Sequence, residues 1–234
     1  MSLFDGQRAM LRQVAQALGA GLREQVAFVG GCTTGLLLTD PFTREQVRST
    51  DDVDLIISVM TYASLQQFKE TLKAHGFKEP SPIDEDMPIC AMKLGELRVD
   101  LMPDNAEVLG FSNRWYRQAL ECAEPISLGD DLIIRVVSPP LFVATKLEAY
   151  KGRGNNDPLE SHDLEDILNL VDGRPELLDE IHLVDAALQD YIAKELSQLL
   201  EDENFAYAVQ SQARDPGREE VLFERLEMLT GERR

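Results

Sequence analysis

Cysteine is scarce in this chain of 234 residues: Cys32, Cys90 and Cys122 are odd in number and unclustered. That argues against a disulfide framework and a zinc knuckle alike. Long apolar runs are missing too. No stretch approaches the roughly 18 apolar residues that a membrane helix needs. The opening Met1-Ser2-Leu3-Phe4-Asp5-Gly6-Gln7-Arg8 lacks a basic region leading into an apolar one, so no signal peptide and a cytoplasmic location are expected. Basic charge is the third shortage, with 23 Lys+Arg against 42 Asp+Glu and a formal charge of −19. The deficit is uneven: residues 1–154 hold 16 basic and 21 acidic side chains, residues 155–234 hold 7 and 21. The later part would repel a polyphosphate backbone. A nucleic-acid acceptor is therefore expected to approach through the earlier part, where Arg44, Arg48 and Arg98 stand near the motifs described below. The acidic tail reads as solvated helix faces, or as a docking surface for a basic protein.

What is present is ordinary for a globular protein: 44% apolar and 28% charged residues, enough to bury about 70–75% of the unfolded surface. Helical spacing of Met10, Leu11, Val14 and Leu18 predicts an opening helix over 5–20, closed by Gly19 and Gly21. Ala27-Phe28-Val29 reads as a short strand, followed by a glycine turn and a brief helix through Leu38 that Asp40-Pro41-Phe42 ends. Residues 43–51 read as a polar connection and 52–59 as a second strand. Thr61 caps a helix that Gly76 stops. Residues 88–94 and 96–102 read as a hairpin, 114–122 as a helix and 132–137 as a last strand. From the Ser138-Pro139 helix start onward every segment reads as helix. The expected organisation is an α/β (α+β) lobe with a mixed sheet over 1–137, then a helical lobe over 138–234. The loop 152–158, rich in glycine and asparagine, reads as mobile.

Two stretches carry chemistry. Phe28-Val29-Gly30-Gly31-Cys32-Thr33-Thr34 is a strand end breaking into a glycine turn, where backbone can approach a phosphate closely and Thr33 and Thr34 can add hydroxyls. Asp51-Asp52-Val53-Asp54-Leu55-Ile56-Ile57 places two carboxylates two residues apart at the start of an apolar strand. Residues i and i+2 of a strand share a face, so Asp52 and Asp54 point one way while Val53, Leu55 and Ile57 face the core. Asp100 alternates similarly in Leu97-Arg98-Val99-Asp100-Leu101-Met102. If the two strands are neighbours, three carboxylates converge, and like charges so placed ask for a cation; Mg²⁺ or Mn²⁺ with a substrate phosphate suits oxygen ligands. The plainer alternative is a set of strand-edge salt bridges to Arg48 or Arg98. Cys32 is either a packing residue or a thiolate at a helix start.

The order Gly-Gly, Asp-x-Asp, then a third strand Asp resembles the nucleotidyltransferase superfamily of DNA polymerase beta. More narrowly, Arg48-Ser49-Thr50-Asp51-Asp52-Val53-Asp54 with Lys146-Leu147-Glu148-Ala149 and His162-Asp163-Leu164-Glu165-Asp166-Ile167 resembles the AbiEii/AbiGii-type toxin nucleotidyltransferases, over about residues 26–171. The resemblance implies that Asp52, Asp54 and Asp100 bind metal and act in catalysis, Asp100 also helping to deprotonate the acceptor. It implies a nucleotide site drawing on Gly30, Gly31, Thr33, Arg48, Lys146 and Asp163. Cys32 stands where a serine or threonine is usual. It further implies transfer of a nucleoside monophosphate from a nucleoside triphosphate to RNA or protein, with an antitoxin protein as a possible partner and no membrane.

Three alternatives stay open on the residues themselves. The acidic C-terminal part suits a cationic small-molecule acceptor such as an aminoglycoside. A degenerate, non-catalytic nucleotide-binding module of the same fold is the second. Third, Lys146, with Arg153 seven residues on, is either a phosphate-binding strip or a solvated stripe paired with Glu148 or Glu160, and Asp163 after Ser161 is equally a first-turn acid on a helix dipole.

Overall fold

The computed structural model describes residues 2–81, 87–152, 157–213 and 215–231. Arg153, and most of the loop read as mobile, lie outside the described residues. The chain opens with α1 (Leu3–Arg23), started by a reciprocal cap in which the Ser2 hydroxyl accepts from the Asp5 N–H and the Asp5 carboxylate accepts from the Ser2 N–H. Leu11, Val14, Ala15 and Leu18 form its fully buried stripe. Gly19, at φ +69°, breaks the helical backbone at one of the two glycines expected to end it, but the helix resumes to Arg23.

There follow β1 (Val26–Val29), a 3-10 turn at Gly31–Thr33, α2 (Thr34–Leu37), α3 (Pro41–Arg44), β2 (Asp52–Ile57), α4 (Tyr62–Ala74), β3 (Ala91–Leu94), β4 (Leu97–Pro103), α5 (Tyr116–Glu121), β5 (Glu124–Ser127) and β6 (Ile133–Val136). Helices alone complete the described chain: α6 (Pro139–Gly152), α7 (His162–Gly173), α8 (Leu177–Leu183), α9 (Ala186–Leu200), α10 (Glu203–Ala213) and α11 (Pro216–Thr230). The six strands form one mixed sheet in the order β3-β4-β2-β1-β6-β5. β1 runs antiparallel to β2 and parallel to β6, and β2 runs parallel to β4. The molecule is thus α/β with a mixed sheet and a run of helices after it. Among the described residues no helix is long and apolar enough to cross a membrane.

Two local readings need correction. The brief helix α2 does stop before Asp40-Pro41-Phe42, but that stretch also begins a helix in what reads as a polar connection: the Asp40 carboxylate accepts from the Phe42 and Thr43 N–H groups, with Pro41 in the first turn of α3. β5 was not expected, because Glu124-Pro125-Ile126-Ser127 has no apolar alternation; as an exposed edge strand it needs none. α10 is held by Phe205, Val209 and Ala213, spaced four apart and all buried.

The chain forms two compact units: one from the residues up to Thr33 together with Ser49–Ser138, the other from Thr34–Arg48 together with the residues from Pro139 on. The first holds the sheet, with α1 against β1, β2 and β6. In the second, α6 packs on α7, α8 and α9, while α2 and α3 pack on α7. The excursion Thr34–Arg48 belongs to the helices for specific reasons. The Thr39 and Asp40 N–H groups both donate to the Gly173 carbonyl at 2.9 Å. Arg218 grips Asp40 Oδ2 and Thr43 Oγ1, each at 2.7 Å, as well as Asp172. That guanidinium, together with the cap bonds, holds the Asp40 carboxyl down at about 2.

Gly173 carries no side chain for a steric reason: a Cβ there would lie 2.9 Å from Leu38 Cδ2 and from Thr43 Cβ and Cγ2. In an open helix Gly→Ala stabilises by about 0.5–1 kcal/mol. Here Gly173→Ala is expected to destabilise by about 1–3 kcal/mol through overpacking, read as a lower urea midpoint at unchanged m-value.

Candidate metal centre

The parallel register of β2 and β4 sets Asp52 beside Arg98 and Asp54 beside Asp100. Apolar burial holds that register in place: Val53, Leu55, Val99 and Leu101 are fully buried between them, and a slip by one residue would turn every one of them outward. On the other face Asp52, Asp54 and Asp100 bring one carboxylate oxygen each to within 4.8 Å of one another. Asp100 is buried, at 5% exposure, while Asp52 and Asp54 are half-buried. Three hard oxygen donors, two of them on half-buried residues, fit a Mg²⁺- or Mn²⁺-type ion that keeps further positions for water or phosphate.

The glycine turn belongs to the same constellation. Gly30 has φ +84°, a conformation that side-chain-bearing residues avoid. A Cβ there would lie 1.9 Å from Asp54 Oδ2, so the missing side chain is the space the carboxylate occupies. Gly31 opens the buried 3-10 turn. The Thr33 hydroxyl donates to the Gly30 carbonyl at 2.8 Å, and its proton closes the turn. Cys32 is buried and its Sγ–H reaches the Gln7 carbonyl at 3.6 Å, which is packing. Cys90 lies in the same unit; burial, with the Asp100 charge beside it, pushes its thiol up to about 11, so it stays protonated at neutral pH.

Two side chains complete the picture. The Thr50 hydroxyl donates to Asp52 Oδ1 at 2.6 Å. Arg98 forks Asp100, Nε donating to Oδ1 at 2.9 Å and Nη2 donating to Oδ2. That hydrogen-bonded pairing, outweighing partial burial, holds the guanidinium above its ordinary value. The strand-edge salt bridge, through Arg98, and the converging triad, posed as alternatives on the sequence, are both present. The signal for Arg98 was its place two residues before Asp100 on the same strand face.

Lys146, Asp163 and Arg48 meet in the helical unit. Lys146 Nζ lies 3.0 Å from Asp163 Oδ1 and 2.7 Å from Asp166 Oδ2, and Arg48 forks Asp166 at 3.1 and 3.0 Å. The lysine and both aspartates are buried, Asp166 completely. Lys146 is therefore no solvated stripe. Burial opposes its charge, but Asp166 and Asp163 outweigh that and hold the ammonium above its ordinary value. Burial likewise opposes the charge on Asp166, which Lys146 and Arg48 nevertheless hold below the usual carboxylate range. Asp166 was passed over although it lies one turn beyond Asp163 on the same helix face. Ser161 does cap α7, with Asp163 in its first turn. Arg44, the third basic side chain expected near the motifs, donates to the Leu38 carbonyl.

No protein-family model matches the chain, and no curated protein matches it.

Three outcomes follow from these contacts. Gly30→Ala should displace the Asp54 carboxylate and abolish divalent-cation binding, seen as loss of a Mn²⁺-induced rise in melting temperature. Lys146→Ala should lower urea stability by about 3 kcal/mol, because it strips a buried carboxylate pair of one cation. The pH dependence has a worked sign. The depressed Asp166 contributes stability above its unfolded value of about 3.9, lost as pH falls through its lower folded value; the raised Lys146 contributes below about 10.4, lost as pH rises through its higher folded value. Stability against pH should therefore lose an acid limb in Asp166→Asn and an alkaline limb in Lys146→Met.

Proposed function

We propose that this chain is a metal-dependent nucleotidyltransferase, moving a nucleoside monophosphate from a nucleoside triphosphate to an acceptor and releasing pyrophosphate. One observation carries the reading: Asp54 and Asp100 stand side by side in the β2–β4 register, and Asp52 joins them to put three carboxylate oxygens within 4.8 Å. Three like charges on one sheet face are unfavourable without a cation, and the missing side chain at Gly30 leaves room for that of Asp54. A divalent cation held there supplies charge neutralisation and orientation at the transferring phosphate. Asp52 and Asp54 hold it from one strand. Asp100, next to them on the other, is the group placed to take the proton from an acceptor hydroxyl. The resemblance of the Gly-Gly, Asp-x-Asp and third-strand Asp order to DNA polymerase beta-like nucleotidyltransferases supports the same assignment.

The acceptor divides the reading. The toxin-type motif favours RNA or protein, with an antitoxin as partner. Two observations favour a cationic small molecule instead: Arg44, Arg48 and Arg98 are each engaged within the protein, and residues 155–234 carry 21 acidic against 7 basic side chains. A binding-only module has no use for three mutually repelling carboxylates.

Purified protein incubated with each α-labelled nucleoside triphosphate, Mg²⁺ or Mn²⁺, and either cell extract or an aminoglycoside should label one acceptor class. Asp52→Asn should abolish that labelling while keeping the fold intact. Metal with triphosphate should raise the melting temperature of the wild type and leave Asp52→Asn unmoved. Equal shifts in both proteins would remove the metal from the assignment.

A further inference from the structure

A counter-charge for the triad comes from its own strand. Arg98 and Asp100 share a face of β4, and Arg98 is also the lateral neighbour of Asp52 across the parallel pair. Its guanidinium occupies both oxygens of the buried Asp100, while the Arg98 side chain itself is 35% exposed. A planar guanidinium matches a carboxylate bidentately and takes the in-plane lone pairs facing it. Those lone pairs are what a third metal ligand must offer. Two cations sharing one carboxylate also repel each other, and the half-exposed arm has solvent into which to swing, whereas Asp100 is fixed in the sheet.

We propose that Arg98 is a resident counter-ion that competes with the divalent cation, so that filling the site exchanges the guanidinium on Asp100 for metal. The inference rests on the metal reading of Asp52, Asp54 and Asp100. In the cation-free protein Arg98 keeps a buried carboxylate paired and the strands in register. When a cation enters, Asp100 turns its oxygens to it and the guanidinium is released beside the site. There its donors are free for an anion, and a phosphate of the substrate is the chemistry they match. Cation and anionic substrate are thereby coupled through one side chain: the first to arrive frees the group that receives the second.

Mn²⁺ titration calorimetry on the wild type, Arg98→Met and Arg98→Lys tests the exchange. Competition requires Arg98→Met to bind Mn²⁺ with a Kd lower by about tenfold or more, and Arg98→Lys, charged but unable to fork, to fall between. Arg98→Met leaves Asp100 unpaired and is open to misfolding in the absence of metal, so a second readout uses the wild type alone. The Nε–H of Arg98, identified in ¹⁵N spectra by its absence from Arg98→Lys, should exchange slowly without metal and rapidly with saturating Mg²⁺. Equal or weaker Mn²⁺ binding in Arg98→Met, or an Nε–H that Mg²⁺ leaves protected, overturns the exchange while leaving the metal site standing. Absence of Mn²⁺ binding in all three proteins overturns both.

Discussion

The register between β2 and β4 is the constraint on which the sheet unit's carboxylate cluster depends. Parallel pairing of residues 52–57 with 98–103 lets the backbone ladder hold carboxylates that side-chain energetics alone would push apart. The opposing force comes from the other face, where Val53, Leu55, Val99 and Leu101 are removed from water. Each contributes about 1.5–3 kcal/mol of burial, enough to hold the acids where repulsion would scatter them. Gly30 and Arg98 then make the arrangement tolerable, one by leaving space for Asp54 and the other by lending positive charge to Asp100.

The helical unit holds a charge cluster of a different kind. Lys146 and Arg48 face the buried Asp163 and Asp166. The resemblance assigns Lys146, Asp163 and Arg48 to nucleotide binding; the contacts in the structure give them a structural task, which is to tie Arg48, at the end of the excursion 34–48, to α7. The triad instead gathers three carboxylates on one sheet face, with Arg98 forking Asp100.

Much of this was legible along the chain. The Thr61 and Ser161 caps, the hairpin of β3 and β4 and the α6 start at Pro139 are local signals, satisfied by neighbours within a few residues. Less legible were elements whose reason for existing lies elsewhere in the fold. β5 pairs with β6 despite a polar, proline-bearing sequence, and α3 is secured by Gly173 and Arg218, far away in sequence.

For the site, the sequence by itself determined which carboxylates share a strand face, since a period of two residues places Asp52 with Asp54 and Arg98 with Asp100. It also determined that a backbone break at Gly30 precedes them. Only the tertiary structure decided that β4 lies next to β2 with Asp100 level with Asp54, that Arg98 turns to Asp100, and that Lys146 is buried on Asp166. The reason is range. Strand periodicity acts over two residues, whereas strand order and ion-pair partners are chosen by contacts between segments dozens of residues apart, which no local pattern encodes.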